Sequence, residues 1–221
     1  FCNRFENFEK ISMNKWDSIN LGENEKPRLS YKDKSSLNDQ LKPVFDSIVS
    51  SKRGVGTLSN GGLPGPFNGW MYTDAKLASA LDTIGIAIRE NTTKVPEIMK
   101  QVSICCIAVY YKANVEYWAH SRIAKINGVP NEVLESMLNE QYPIFDDSEE
   151  GCKQEIAYRF TQEFLQSHEV SDSLYNETLD IIGSEQGMVE FICVIGHYTG
   201  LVAQLNILKV PNPGDKQIFE H

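Results

Sequence analysis

From Thr73 to about Lys209, apolar residues return every three or four positions, and alternation with period two is absent. A chain with that pattern has no face that a pleated sheet could bury, so it predicts an all-α domain. Thr73 is the expected N-cap of a helix carrying Leu77, Leu81, Ile84 and Ile88. Pro96 suits the first turn of a helix through Met99, Val102, Cys106, Val109 and Tyr110. A helix over about Val115–Ile126 is expected to stop at Asn127-Gly128, and Pro130 to open a short one with Val133, Leu134, Met137 and Leu138. The acidic run Asp146–Glu150 leads a helix to about Ser167, because negative charge complements a helix N-terminus. Ser171 and Ser184 are expected caps of the last two helices, with Gly183 closing the former.

The first third of the chain reads differently. Residues 1–35 lack sustained periodicity and are expected to form an irregular arm. Leu37, Leu41, Val44, Phe45, Ile48 and Val49 fall on one helical face, with Pro43 as a kink or the true start. Gly54 to Trp70 carries Gly61-Gly62, Pro64-Gly65-Pro66 and Asn68-Gly69, a long loop. With 221 residues and 41% apolar content, one domain with an extension is expected. The boundaries drawn are an extension over 1–63, a helical domain over 64–211 and a tail over 212–221.

Charge limits the partners. The net charge of −9 speaks against nucleic acid, whose binding rests on Lys and Arg neutralising phosphates. The acidity is late: residues 140–190 hold 13 Asp and Glu against 2 Lys and Arg. The tight apolar cluster Ile104–Tyr111 is too short for a membrane span, so no membrane is expected. Five cysteines, without a CxxC, argue against a zinc knuckle or a dithiol redox site. Cys105, Cys106 and Cys193 sit in apolar runs as small hydrophobes, and no signal peptide is read, so the expected location is the cytoplasm.

Two constellations could carry chemistry. In Glu116-Tyr117-Trp118-Ala119-His120, the carboxylate and the imidazole are four residues apart and share a helix face. Such a pair orients an imidazole for general acid/base work, forms half of a metal site, or is an ordinary surface pair. A metal would need two further ligands from elsewhere. The second constellation is Glu190 with Gly196-His197-Tyr198 and Gly200, in the long last helix. Glu190 and His197 share a face, and glycines weaken a helix unless something approaches closely.

Together these residues resemble the carboxymuconolactone decarboxylase family, of the alkylhydroperoxidase D-like superfamily. The likeness lies in Glu116-Tyr117-Trp118-Ala119-His120 with Ile123-Ala124 and Gly128-Val129. It continues in Glu190 through His197-Tyr198 to Leu205-Asn206 and Val210-Pro211, and in Pro64-Gly65-Pro66-Phe67-Asn68-Gly69-Trp70. It covers about 64–211. The resemblance implies an alkylhydroperoxidase D-like helical domain, homo-oligomers such as trimers or hexamers, and no organic cofactor. Redox members carry a CxxC seven and four residues before the signature His. Here those places hold Ala113 and Glu116, which departs from the peroxidase pattern.

The expected function is therefore a cofactor-independent lyase or isomerase acting on a small carboxylated lactone or keto acid. His120 is the expected acid/base and Glu116 its orienting partner. His197, Tyr198, Trp70, Glu190 and Arg89 are the expected substrate-binding residues, with Arg89 or Arg122 supplying positive field, and no metal is assigned. The alternative is a non-catalytic oligomeric binding or assembly protein on the same scaffold.

Overall fold

A computed structural model describes residues 27–53, 55–212 and 217–219. Among these residues the chain forms nine α-helices and no strand, so the fold is all-α. Asp33 and Gly62 share one isolated antiparallel bridge. The irregular arm expected over 1–35 lies outside the described residues as far as 26, as do Gly54 and 213–216 of the tail. The chain divides into two compact units, Phe1–Arg89 with Gln204–Gln217, and Glu90–Ala203 with Ile218–His221. The 63/64 boundary read from composition falls inside the first unit.

In the first unit, helix α1 (Lys42–Ser50) has Pro43 in its first turn, so this proline starts the helix rather than kinking it. Leu37 and Leu41 are buried ahead of the helix, and Val44, Phe45 and Ile48 form its inner face. The loop ends in a short helix α2 (Phe67–Trp70), followed by α3 (Ala75–Glu90). Asp74 caps α3 in place of Thr73: its Oδ1 accepts the Lys76 N–H at 2.8 Å. The Thr73 hydroxyl turns back and donates to the Trp70 carbonyl at 2.9 Å. Inside this unit the Arg53 guanidinium pairs with Asp82, both side chains being buried. Ser47 donates to the other Asp82 oxygen at 2.7 Å.

The second unit is built around α4 (Glu97–Tyr110), in which every residue from Ile98 to Val109 is buried. A helix apolar on nearly all sides needs neighbours all round. It finds them in α5 (Asn114–Ile126), α6 (Asn131–Leu138) and α7 (Glu149–Ser167). The cluster Ile104–Tyr111 is thus the central helix of the unit, with Tyr110 and Tyr111 at its exposed end. Ser103 on α4 accepts from Thr161 on α7 at 2.8 Å, which satisfies two hydroxyls in the α4–α7 contact. The α5 helix ends at Asn127, and Gly128 takes φ +95°, where a side chain is disfavoured. Helix α8 (Asp172–Ile182) ends at Gly183 with φ +78°.

The last helix, α9 (Glu185–Ile207), has the length and composition to cross a membrane, and 39% of its apolar window is buried in the protein. Met188, Phe191, Val194, Ile195, Tyr198 and Val202 form its inner face, and Ser184 accepts the Gly187 N–H at 3.1 Å. The opposite face carries exposed Val189, Ile192, Gly196 and Gly200. A methyl group built on either of these two glycines would touch nothing.

Candidate functional site

Helix α5 brings Glu116 and His120 together one turn apart, as their spacing requires. His120 Nε2 lies 3.2 Å from Glu116 Oε1, and both side chains are about 95% buried. A surface pair is thereby excluded. The other ring nitrogen, Nδ1, lies 2.8 Å from Gln101 Oε1 on α4. The Gln101 amide is itself oriented, because its Nε2 donates to Glu97 Oε1 at 2.7 Å. Lys100 closes the series, with its ammonium 3.1 Å from Glu97 Oε2.

This sequence of contacts orients the Gln101 amide and, through it, the His120 ring. A carboxylate only accepts, so the Gln101 amide must point its NH₂ at Glu97 and its oxygen at His120. The oxygen only accepts, so Nδ1 of His120 carries hydrogen. Nε2 then faces a Glu116 oxygen at 3.2 Å. A hydrogen between Nε2 and Oε1 would complete a hydrogen bond at this distance, so the pair is built to share one.

Tyr198 is the third expected residue at this place. Its ring meets the His120 ring edge-on, with centroids 4.9 Å apart, and is buried. His197 stands beside Tyr198 at 5.2 Å between ring centroids and is half-buried. Glu190 is engaged elsewhere in the unit. One of its oxygens accepts the Lys94 N–H at 2.9 Å and the other accepts from Gln186 at 2.7 Å, so Glu190 anchors the turn before α4. Arg122 stacks on Trp118 with its guanidinium carbon 4.1 Å from the ring centroid, and donates to the Trp118 carbonyl. Trp70 and Arg89 belong to the first unit. The Trp70 indole N–H donates to Gln204 Oε1 at 2.9 Å within that unit, and Arg89 is half-buried in the last turn of α3.

Gln101, Glu97 and Lys100 were not singled out in the sequence, although a signal was there. Lys100 and Gln101 interrupt the apolar run Ile98-Met99 and Val102, on a helix that is buried all round. Buried polar side chains need partners, so their presence in such a helix marks a polar network. The thiols nearby, Cys105 and Cys106, are buried. Burial, then Cys106 and Glu116, push the Cys105 thiol far up, and burial does the same to Cys106. Among the described residues no group of three or more His, Cys, Asp or Glu is placed to hold a metal ion. Comparison with protein-family models and with curated proteins finds no match. The resemblance to carboxymuconolactone decarboxylases therefore rests on the residues quoted for it.

Proposed function

We propose that the His120–Glu116 couple is the acid/base centre of a cofactor-independent lyase or isomerase acting on a small carboxylated lactone or keto acid. The buried approach of His120 Nε2 to Glu116 Oε1 at 3.2 Å, with Nδ1 engaged by Gln101, is the observation that carries this reading. When the carbon–carboxylate bond breaks, CO₂ leaves and the bonding pair stays on the substrate as a dienolate. The couple gives its proton to that carbon and regains one from water after product release. Gln101 keeps Nδ1 occupied, so only Nε2 exchanges the proton. Tyr198, edge-on to His120, is positioned to cover the ring and limit water. The reading includes a homo-oligomer, trimeric or hexameric as the resemblance implies. It also includes a reducing, cytoplasmic setting, supported by the free thiols of Cys105, Cys106, Cys152 and Cys193.

The second reading is a scaffold without chemistry. Its support is the burial of the pair and the mutual satisfaction of its hydrogen bonds. Turnover of a panel of carboxylated lactones and keto acids, with and without added divalent metal, separates the two. The first reading expects CO₂ release or isomerisation by the parent and its loss in Glu116→Gln. A folded parent that turns over none of them supports the second.

A further inference from the structure

Asn114, the first residue of α5, is buried and turns its side chain to main chain more than a hundred residues away. Its Oδ1 accepts the N–H of Ile218 at 2.7 Å and that of Phe219 at 2.8 Å. Its Nδ2 donates to the Phe219 carbonyl at 3.1 Å. Two successive N–H groups that converge on one oxygen form a small concave grip for it. Tyr117 follows three residues after Asn114, so it lies on the same side of the helix. Its ring meets the Phe219 ring edge-on, with centroids 5.7 Å apart. The Tyr117 ring is held in place, because it is buried and its hydroxyl donates to the Leu134 carbonyl at 2.8 Å. Ile218 and Phe219 are half-buried and belong with α5 to the second unit.

All three hydrogen bonds go to main chain, and Phe219 adds only a ring. The contact therefore selects chemistry more than sequence. We propose that Asn114 and Tyr117 form a binding notch for a short peptide segment, occupied here by the chain's own Ile218-Phe219 and open to a segment of another chain with the same features. The bonds define those features. The ligand needs two successive N–H groups, so proline is excluded at both positions. Its second residue supplies a carbonyl and an aromatic ring. Asparagine suits the task because one amide gives both an acceptor and a donor, whereas aspartate would set an oxygen against the Phe219 carbonyl. Three hydrogen bonds and one ring pair are a modest hold, since each bond replaces one made to water. A competing segment can displace such a strap, although tethering gives the chain's own segment an effective concentration of about millimolar order. The notch lies on the helix that carries Glu116 and His120. It is independent of the acid/base reading, because its test measures binding and not turnover.

The probe is a fluorescein-labelled peptide with the sequence of residues 216–221, followed by fluorescence anisotropy on the full chain, with circular dichroism to confirm folding. In the full-chain double variant Ile218→Pro with Phe219→Ala, the chain's own segment loses a donor and the ring, which frees the notch. The peptide is expected to bind this variant with a Kd of about 0.1–1 mM, the strength that a few such contacts give. It is expected to bind the parent about fivefold more weakly or worse, because the tethered segment competes. Peptides carrying Ile218→Pro or Phe219→Ala are each expected to bind the variant chain about tenfold more weakly. Adding Asn114→Ala to the variant chain is expected to remove binding. A variant chain that binds the peptide no better than the parent overturns the inference. So do substituted peptides that bind as well as the original, and binding that survives Asn114→Ala in a folded chain. If Asn114→Ala unfolds, the substituted peptides decide alone.

Discussion

Gln101 Oε1 stands 2.8 Å from His120 Nδ1, and this contact determines what the imidazole does on its other side. The same amide donates to Glu97, so it cannot flip without turning an oxygen on a carboxylate. One glutamine thus settles the tautomer of a histidine on another helix. Glu116 and His120 share a helix turn because of their spacing, but spacing leaves the ring free to choose its tautomer. The choice is made by α4.

Replacing Gln101 by Leu tests this directly. The variant removes the acceptor from Nδ1, so that nitrogen is expected to lose its hydrogen and the ring to carry hydrogen only on Nε2, facing Glu116. Histidine ¹⁵N–¹H correlation spectra read the change as a switch of the bonded nitrogen. Stability is expected to fall by about 1–3 kcal/mol, since Glu97 and Nδ1 both lose a partner in or near the core. A merely packed Gln101 would lower stability without moving the tautomer, so an unchanged spectrum in the folded variant refutes the assignment.

Glu116→Gln is the cleaner probe of chemistry than His120→Ala. The new amide N–H donates to Nε2, so the ring keeps two hydrogen bonds and Nδ1 keeps its hydrogen. The couple then has no proton to give. Loss of about 10²–10⁴-fold in kcat is expected, with little change in thermal midpoint. His120→Ala is expected to lose as much activity and also stability, because it opens a cavity and strands a buried carboxyl. Parent-like kcat in both variants, each folded, leaves the pair with a packing role.

The helices were legible in the sequence because their stop and start signals are local. Pro43, Asn127-Gly128 and Gly183 each act within one turn, and each stands where a helix begins or ends. The cap of α3 moved from Thr73 to Asp74 because both side chains can cap and only the fold shows which carbonyl Thr73 finds. The Glu116–His120 pair was legible for the same local reason. Gln101 was not, since nineteen residues separate it from His120 and only the packing of α4 on α5 joins them. The roles of Glu190 and Trp70 were hidden likewise: their partners Lys94 and Gln204 are 96 and 134 residues away.

Thiol reactivity is expected to divide the cysteines by burial. At about pH 8, iodoacetamide should modify exposed Cys152 and Cys193 and leave Cys105 and Cys106 untouched until denaturant is added. Peptide mapping reads this. A pH dependence follows with a definite sign. Burial raises the thiols of Cys105 and Cys106, and the Tyr117 hydroxyl that donates to the Leu134 carbonyl, above their ordinary values. Above about pH 9 the unfolded chain releases protons that the folded chain holds, so unfolding is favoured as pH rises. The thermal midpoint should therefore fall between about pH 8 and 10, less steeply in Cys106→Ala. A midpoint that rises over this range contradicts the burial of these groups.

The buried Arg53–Asp82 pair makes the last prediction, and it concerns the first unit alone. Asp82 accepts from Arg53 on one oxygen and from Ser47 on the other, so it joins α3, α1 and the turn after α1. Arg53 also stands over the Phe67 ring, 5.1 Å from its centroid. Asp82→Asn keeps the shape and removes the charge, leaving the guanidinium in a poorly solvated place. Removing one partner of a buried pair costs about 3–5 kcal/mol, whereas replacing both by apolar groups is often neutral. Asp82→Asn should lower the urea midpoint strongly, and the double variant Arg53→Met with Asp82→Leu should recover most of the loss. Hydrogen exchange adds location: amides of α1 and of Ala78 to Ile86 should lose protection first in the single variant. If the single variant unfolds like the parent and those amides stay protected, the pair does not hold α1 to α3.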